Sequence, residues 1–234
     1  MSNDPQTNLP IVVAFTGASG AAYGLRLIQV LTAAGCDVHL TISPAAERVF
    51  REELDLTMTA NNVGEILTSL MTADGSSLVG EIWRGARPVA SPQAGSLCHE
   101  RGRIVAHPHT DYGCSIASGS FRTRGMVICP CSLGTLAAIA SGVSTNLVQR
   151  AADVHLKERR KLILVPRETP LSRIHLQNML QLTDAGALIL PAMPGFYHRP
   201  RSLMDLIDFV ITRICDHLDV PIRLTSRWMG DGPK

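Results

Sequence analysis

The sequence predicts an α/β fold built on a doubly wound parallel sheet, and three observations predict it. Short apolar runs alternate with stretches of helical periodicity along most of the chain, the pattern of strands joined by crossover helices. The runs are nearly unbroken, which is how strands buried on both faces read. Five of them end in small, polar or charged residues: Thr16–Gly20, Ser43–Ala46, Pro130–Thr135, Pro166–Glu168 and Pro191–Tyr197. Ligands of open α/β sheets bind beyond the carboxyl ends of the strands, so these five loops are expected to converge on one pocket.

Ile11–Phe15 is the first expected strand. Leu25, Leu27, Ile28 and Leu31 give residues 21–34 a helical apolar pattern that Gly35 closes. Val38–Ile42 is the second strand, followed by a helix from about Ala45 to Glu53 and another over Val63–Met71. Residues 73–125 lose the rhythm. Rich in Gly, Ser, Pro, Arg and His, they read as an insertion or long excursion with a short hairpin around Ile82 and Ile104. Order returns with a strand at Met126–Cys129 and helices over 132–140 and 146–159. A strand at Leu162–Val165, a helix over 172–185, a strand at Leu188–Leu190 and a helix over 202–217 complete the pattern. The tail, Asp219–Lys234, reads as irregular.

At 234 residues the chain is expected to form one domain over 1–234, with the excursion at about 73–115 and the tail 219–234 as its irregular parts. A hydrophobic share of 45% supplies a core, and a net charge of +2 argues against a nucleic-acid footprint or a membrane-surface patch. No apolar run reaches the roughly 18 residues of a membrane span. Met1–Asn8 is polar and has no apolar signal core. The six cysteines form no CxxC pair, so reduced thiols in a cytoplasmic protein are expected.

Thr16-Gly17-Ala18-Ser19-Gly20 joins a strand to a helix, where glycines permit a tight turn and the helix N-terminus favours a phosphate. Gly17, Gly20 and Gly24 do not form the dinucleotide fingerprint. Ser43 stands where a dinucleotide site wants an acid, which favours a mononucleotide such as FMN. Ordinary helix capping by Ser19 accounts for the same residues. At the next such turn, Ser132 and Thr135 offer hydroxyls to a flavin or phosphate, or Ser132 simply caps a helix. Cys131 has no histidine at a telling position nearby and is not expected to be a nucleophile.

Arg150 and Lys157, seven residues apart, share one helix face. The cation and carboxylate of Pro166-Arg167-Glu168, at a strand's end, suit phosphate binding and proton transfer. Tyr197, in a proline-flanked loop, can hydrogen-bond a phosphate oxygen or plug the loop by packing. Arg213, among Ile211, Ile214 and Cys215, is compatible with a buried or an exposed side chain. Cys98, His99, His107, His109, Asp111 and Cys114 crowd the irregular stretch, but their spacing matches no standard zinc module and no metal is expected.

Taken together, TGASGAAYGLRL, VICPCSLGTL, NLVQRAADVHLKERR, LVPRETP, HLQNML and PGFYHRP resemble the UbiX-type flavin prenyltransferases, over about residues 9–56 and 115–217. The resemblance implies a flavodoxin-like doubly wound fold. It implies an enzyme that binds FMN and joins a dimethylallyl group, delivered as dimethylallyl phosphate, to N5 and C6 of the reduced flavin without a metal. Phosphate leaves, and the prenylated FMN serves a UbiD-type decarboxylase, often in ubiquinone biosynthesis. The family assembles as homododecamers with active sites where subunits meet. Carried over by motif, Gly17, Ala18, Ser19, Ser43, Ser118, Ser132, Leu133, Gly134, Thr135 and Arg167 bind FMN. Arg150, Lys157, Tyr197, Arg213 and Trp228 bind the prenyl donor, and Ser19, Glu53, Lys157 and Glu168 form the catalytic set.

Three rivals remain at this point. A related flavin-dependent decarboxylase of peptidyl or pantothenoyl cysteine wants a catalytic His, a PASANT segment and a clamp ending in Met-Trp, none of which is visible. A non-catalytic FMN carrier leaves Lys157, Glu168 and Tyr197 without a role. An NAD-dependent oxidoreductase is disfavoured by Ser43.

Overall fold

The computed structural model describes residues 9–66, 101–222 and 224–225. The strands are β1 (Ile11–Phe15), β2 (Val38–Ile42), β3 (Ile104–His107), β4 (Gly125–Cys131), β5 (Leu162–Pro166) and β6 (Leu188–Ile189). They form one sheet in the order β3-β2-β1-β4-β5-β6, with every neighbouring pair parallel. The helices are α1 (Ala21–Ala33), α2 (Pro44–Leu54), α3 (Leu133–Ala140), α4 (Leu147–Lys157), α5 (Arg173–Asp184) and α6 (Leu203–His217). Among the described residues, no helix is long and apolar enough to cross a membrane.

The unbroken apolar strands are explained by the layers around them. Ile11, Val13 and Phe15 pack in one core with residues of α1, α2 and α6. Val12 and Ala14, on the other face, pack in a second core with α3, α4 and Leu182 of α5. Every β1 residue is fully buried, so no polar face exists to make the strand alternate. Five helices start at a side-chain cap, at Ser43, Ser132, Asn146, Ser172 and Ser202, each accepting a backbone N–H three residues on.

The excursion departs from its expected form. Ile104 does not join a hairpin: Ile104–His107 is a sixth strand, parallel to β2 with Ile104 opposite Val38 and His107 opposite Thr41. Gly102 lets the chain enter there, since a Cβ at this position would stand 1.9 Å from the Cys36 carbonyl oxygen. Ile82 lies outside the described residues, as does the end of the helix expected over Val63–Met71, of which Val63–Ile66 are helical. The start of the irregular tail is packed: Val220, Ile222 and Leu224 are buried in the α1/α6 core.

Two buried polar arrangements brace the layers. Arg26 of α1 meets Asp208 of α6 through Nε–Oδ1 at 2.7 Å and Nη2–Oδ2 at 3.1 Å, with both side chains at most 2% exposed. Gln29 also accepts from this guanidinium, and the Thr212 hydroxyl donates to the Asp208 carbonyl at 2.7 Å. On the other face, His155 of α4 contacts the Ala151 carbonyl through Nδ1 at 2.7 Å and the Thr123 hydroxyl through Nε2 at 2.8 Å. A carbonyl only accepts, so Nδ1 carries the proton and Nε2 accepts from Thr123. Burial pushes this imidazole down from its ordinary value to about 4.

Removing one partner of the Arg26–Asp208 pair strands a buried charge. Asp208→Ala is expected to cost about 3–5 kcal/mol in denaturant unfolding, and Arg26→Met combined with Asp208→Leu to recover most of it. His155 gives a pH signature. Its folded pKa lies below its unfolded value near 6.5, so its contribution to stability is full above about pH 6.5 and falls as the pH drops towards 4. The limit of that loss is about 3 kcal/mol. Denaturation midpoints of His155→Gln between pH 7 and pH 4.5 are expected to fall less steeply than those of the parent.

Candidate functional site

The strand order reverses between β1 and β4, and the loops after these strands are stitched together at that switch point. Thr16, only 2% exposed, donates its hydroxyl to the Pro130 carbonyl at 2.9 Å and accepts the Ser132 N–H at 2.7 Å. Sequence reasoning did not single out Thr16 as a site residue; its side chain, inside the motif, was the available signal. Ser132 accepts from the Thr135 N–H at 3.3 Å and donates to the Thr135 hydroxyl at 3.0 Å. Leu133 is buried in the core, so it can present only backbone to a ligand. Beside it, a Cβ on Gly134 would meet nothing within 4 Å, which leaves open space over the turn.

The Thr16–Gly20 turn is held from two further directions. A Cβ on Gly17 would stand 2.6 Å from the Ala45 Cβ, so the loop after β2 lies directly against it. Ser43 caps α2 there, accepting from the Ala46 N–H at 3.2 Å. Glu53, near the end of α2, accepts from the Gly20 N–H at 2.9 and 3.1 Å and from the Ala21 N–H at 2.9 Å. α1 has no side-chain cap of its own, and Glu53 supplies one from a distance of 33 residues in sequence. A carboxylate of the protein thus meets the Gly20 and Ala21 amides and the dipole of the α1 N-terminus. Arg167, after β5, donates from Nε to the Ser19 carbonyl at 3.2 Å, which brings the third loop onto the same turn. The Glu168 carboxylate accepts from the Thr169 N–H at 3.1 Å, and the residue is half-buried.

A second group forms beside α4. Arg150 donates from Nε to the Ala117 carbonyl at 3.1 Å and pairs through Nη1 with Asp153 at 2.9 Å. Ser118 follows Ala117 directly, and its hydroxyl lies 2.9 Å from that of Ser120. A Cβ on Gly119 would meet Lys157 Nζ at 2.9 Å, so Arg150, Ser118 and Lys157 line one strip. Lys157 pairs with Glu158 and holds that carboxyl below the usual carboxylate range.

A third group lies on the opposite side of the sheet. The Tyr197 ring meets Phe209 of α6 edge-on, with centroids 5.6 Å apart, and 56% of the residue is exposed. Arg213, one turn further along α6, pairs with Asp216 at 3.1 Å and is also exposed, which settles its orientation. Trp228 lies outside the described residues. The structure therefore unites Gly17, Ser19, Ser43, Glu53, Ser132, Thr135 and Arg167 at one place. It leaves Arg150 and Lys157 on the helix of one face and Tyr197 and Arg213 with the helix of the other. Cys131 is fully buried and its thiol is pushed up to about 12, unsuited to attack.

A profile of the Flavoprotein family matches residues 1–215. The flavin prenyltransferase UbiX of Halalkalibacterium halodurans is 46% identical over 216 residues, covering 92% of this chain and 91% of its own. That of Pseudomonas aeruginosa is 44% identical, covering 93% of each. Among solved structures, AnUbiX in complex with FMN and dimethylallyl pyrophosphate superposes with a TM-score of 0.76 at 38% identity, covering 96% of this chain and all of that one. A dodecameric FMN-dependent UbiX-like decarboxylase from Escherichia coli O157:H7 gives 0.74 at 36%, covering 95% of this chain and all of its own. With that similarity extending over more than nine-tenths of its length, the chain belongs to the Flavoprotein family and, within it, to the UbiX flavin prenyltransferases.

Proposed function

We propose that this chain, acting as one domain over 1–234, transfers a dimethylallyl group from dimethylallyl phosphate to N5 and C6 of reduced FMN. The products are phosphate and prenylated FMN, the latter destined for a UbiD-type decarboxylase. The observation that carries this reading is the convergence of three strand-end loops at the switch point, where Arg167 reaches the Ser19 carbonyl and Thr16 ties β1 to Ser132. The residues present fit a flavin mononucleotide: hydroxyl donors ring the turn, a guanidinium stands beside it, and Gly134 leaves room above it.

When bound, reduced FMN supplies the nucleophilic N5 and C6. Gly17 and Ala18 offer backbone, Ser19, Ser43, Ser118, Ser132 and Thr135 offer hydroxyls, and Arg167 offers charge to hold it. Arg150, Lys157, Tyr197, Arg213 and Trp228 hold the prenyl phosphate. Their cations stabilise the charge that grows on the phosphate oxygens as the allylic C–O bond breaks. Glu168, half-buried beside Arg167, takes the proton released at ring closure. Glu53 acts through the turn it holds, positioning Ser19. A cytoplasmic location, supported by free thiols at all five described cysteines, completes this reading.

Arg150 and Lys157 sit on the helix of one sheet face and Arg213 on that of the other, so a second copy of the chain brings Arg213 onto the phosphate held by Arg150 and Lys157. Exposed Ile174, Leu176 and Leu180 of α5, together with Phe196 and Leu203, offer apolar surface for assembly into a dodecamer.

Anaerobic incubation with reduced FMN and dimethylallyl phosphate, followed by mass analysis of the flavin, is expected to show a gain of one C5 unit and release of phosphate. Unchanged flavin with this donor and with the diphosphate overturns the reading. Lys157→Met is expected to lower turnover by about 10²–10³-fold while leaving FMN bound. Mixing dissociated Arg150→Ala and Arg213→Ala proteins and reassembling them is expected to restore about a quarter of the sites by random co-assembly. No recovery in reassembled mixtures means that one copy furnishes both cations.

A further inference from the structure

We propose that His107, Asp111 and Cys114 form a binding site for one zinc ion, outside the flavin site and independent of the prenyl transfer assigned to it. The three side chains come from the end of β3 and the loop after it, and their ligand atoms all lie within 4.8 Å of one another. A tetrahedral zinc with bonds of about 2.0–2.3 Å holds its ligand atoms about 3.5 Å apart, so small side-chain rotations close the cluster on the ion. A nitrogen, a sulfur and an oxygen donor together suit zinc, whereas magnesium and calcium call for oxygens alone.

The surrounding contacts arrange these groups as ligands. Nε2 of His107 is 2.9 Å from Nδ1 of His39 on β2, with the two rings stacked at 5.1 Å, which leaves Nδ1 of His107 for the metal. A ligating histidine whose second nitrogen is hydrogen-bonded is the usual arrangement in zinc sites. The loop folds back tightly enough for Asp111 to donate its N–H to the Pro108 carbonyl at 3.0 Å. One oxygen of Asp111 accepts the Gly113 N–H at 2.9 Å, which fixes the carboxylate and leaves its other oxygen available. The Cys114 thiol donates to the Asp111 carbonyl at 3.1 Å, and on metal binding that proton passes to solvent. Water completes the fourth position.

The position gives the ion a role. The Leu147 N–H at the start of α4 donates to the His109 carbonyl at 2.8 Å, and Cys114 leads within three residues to Ala117, whose carbonyl receives Arg150. A metal clasp across 107–114 braces the edge strand against the segment that carries Ser118 and Arg150. None of the three ligands contacts the Thr16–Gly20 turn, so the clasp is a structural staple and not a second reaction centre.

The test uses the full, untagged chain, stripped with a chelator and titrated first with cobalt(II) and then with zinc. The expected result is one cobalt per chain with a thiolate-to-cobalt charge-transfer band, which zinc bleaches. Cys114→Ser is expected to abolish the band while flavin binding persists, and Asp111→Asn to weaken cobalt binding. His39→Phe, which removes the hydrogen bond to Nε2 of His107 and keeps an aromatic ring beside His107 and Phe121, is expected to weaken it by about 10–100-fold. The absence of a thiolate band in the parent protein overturns the proposal, as does a band that survives undiminished in both Cys114→Ser and His107→Ala.

Discussion

A parallel sheet must be covered on both faces, and that requirement governs the rest of this molecule. β1 is fully buried, one set of its side chains packing in the core of α1, α2 and α6 and the other in the core of α3 and α4. Because every strand runs the same way, every carboxyl end opens on the same edge of the sheet. The loops after β1, β2, β4 and β5 therefore gather there without any need for proximity in sequence. The same layering separates α4 from α6. The cations proposed to bind the prenyl phosphate are thereby spread over both helices, Arg150 and Lys157 on α4 and Arg213 on α6.

At the gathering point the backbone is fixed by a few polar contacts of high sequence separation. The Thr16 hydroxyl satisfies a carbonyl and an amide of the β4 loop at once. Glu53 gives α1 the cap its own sequence lacks. In both cases a buried or half-buried backbone group that would be costly to leave unpaired is satisfied from a different loop. The turn is consequently tied to the segments after β2, β4 and β5, an arrangement that suits a site orienting two substrates.

Much of this was legible in the chain. The apolar runs located five of the six strands described: burial on both faces leaves the central ones no alternation to confuse with a helix, and half-buried β6 shows through the unbroken Leu188–Leu190 run. Apolar periodicity made the helix starts readable to within a residue or two, although the Ser19 cap read for α1 is not there: that helix has no side-chain cap of its own. The strand at Ile104–His107 was not readable: it is an edge strand, only partly buried, and lacks the dense apolar signal of the central ones. Val220, Ile222 and Leu224 were likewise passed over, since their alternation with Pro221, Arg223 and Thr225 is short and interrupted by a proline.

The sequence by itself determined the layered architecture, the chemistry of the strand-end loops and, through joined motifs, the family. These rest on local propensity and on residue types that carry their meaning wherever they stand. Only the tertiary structure decided that Glu53 caps α1 and that Arg167 lands on the Ser19 carbonyl. It also decided that His107, Asp111 and Cys114 meet and that Arg150 and Arg213 belong to opposite faces. Each of these depends on which side chains become neighbours once β1 stands between β2 and β4, and spacing along the chain does not encode that distance.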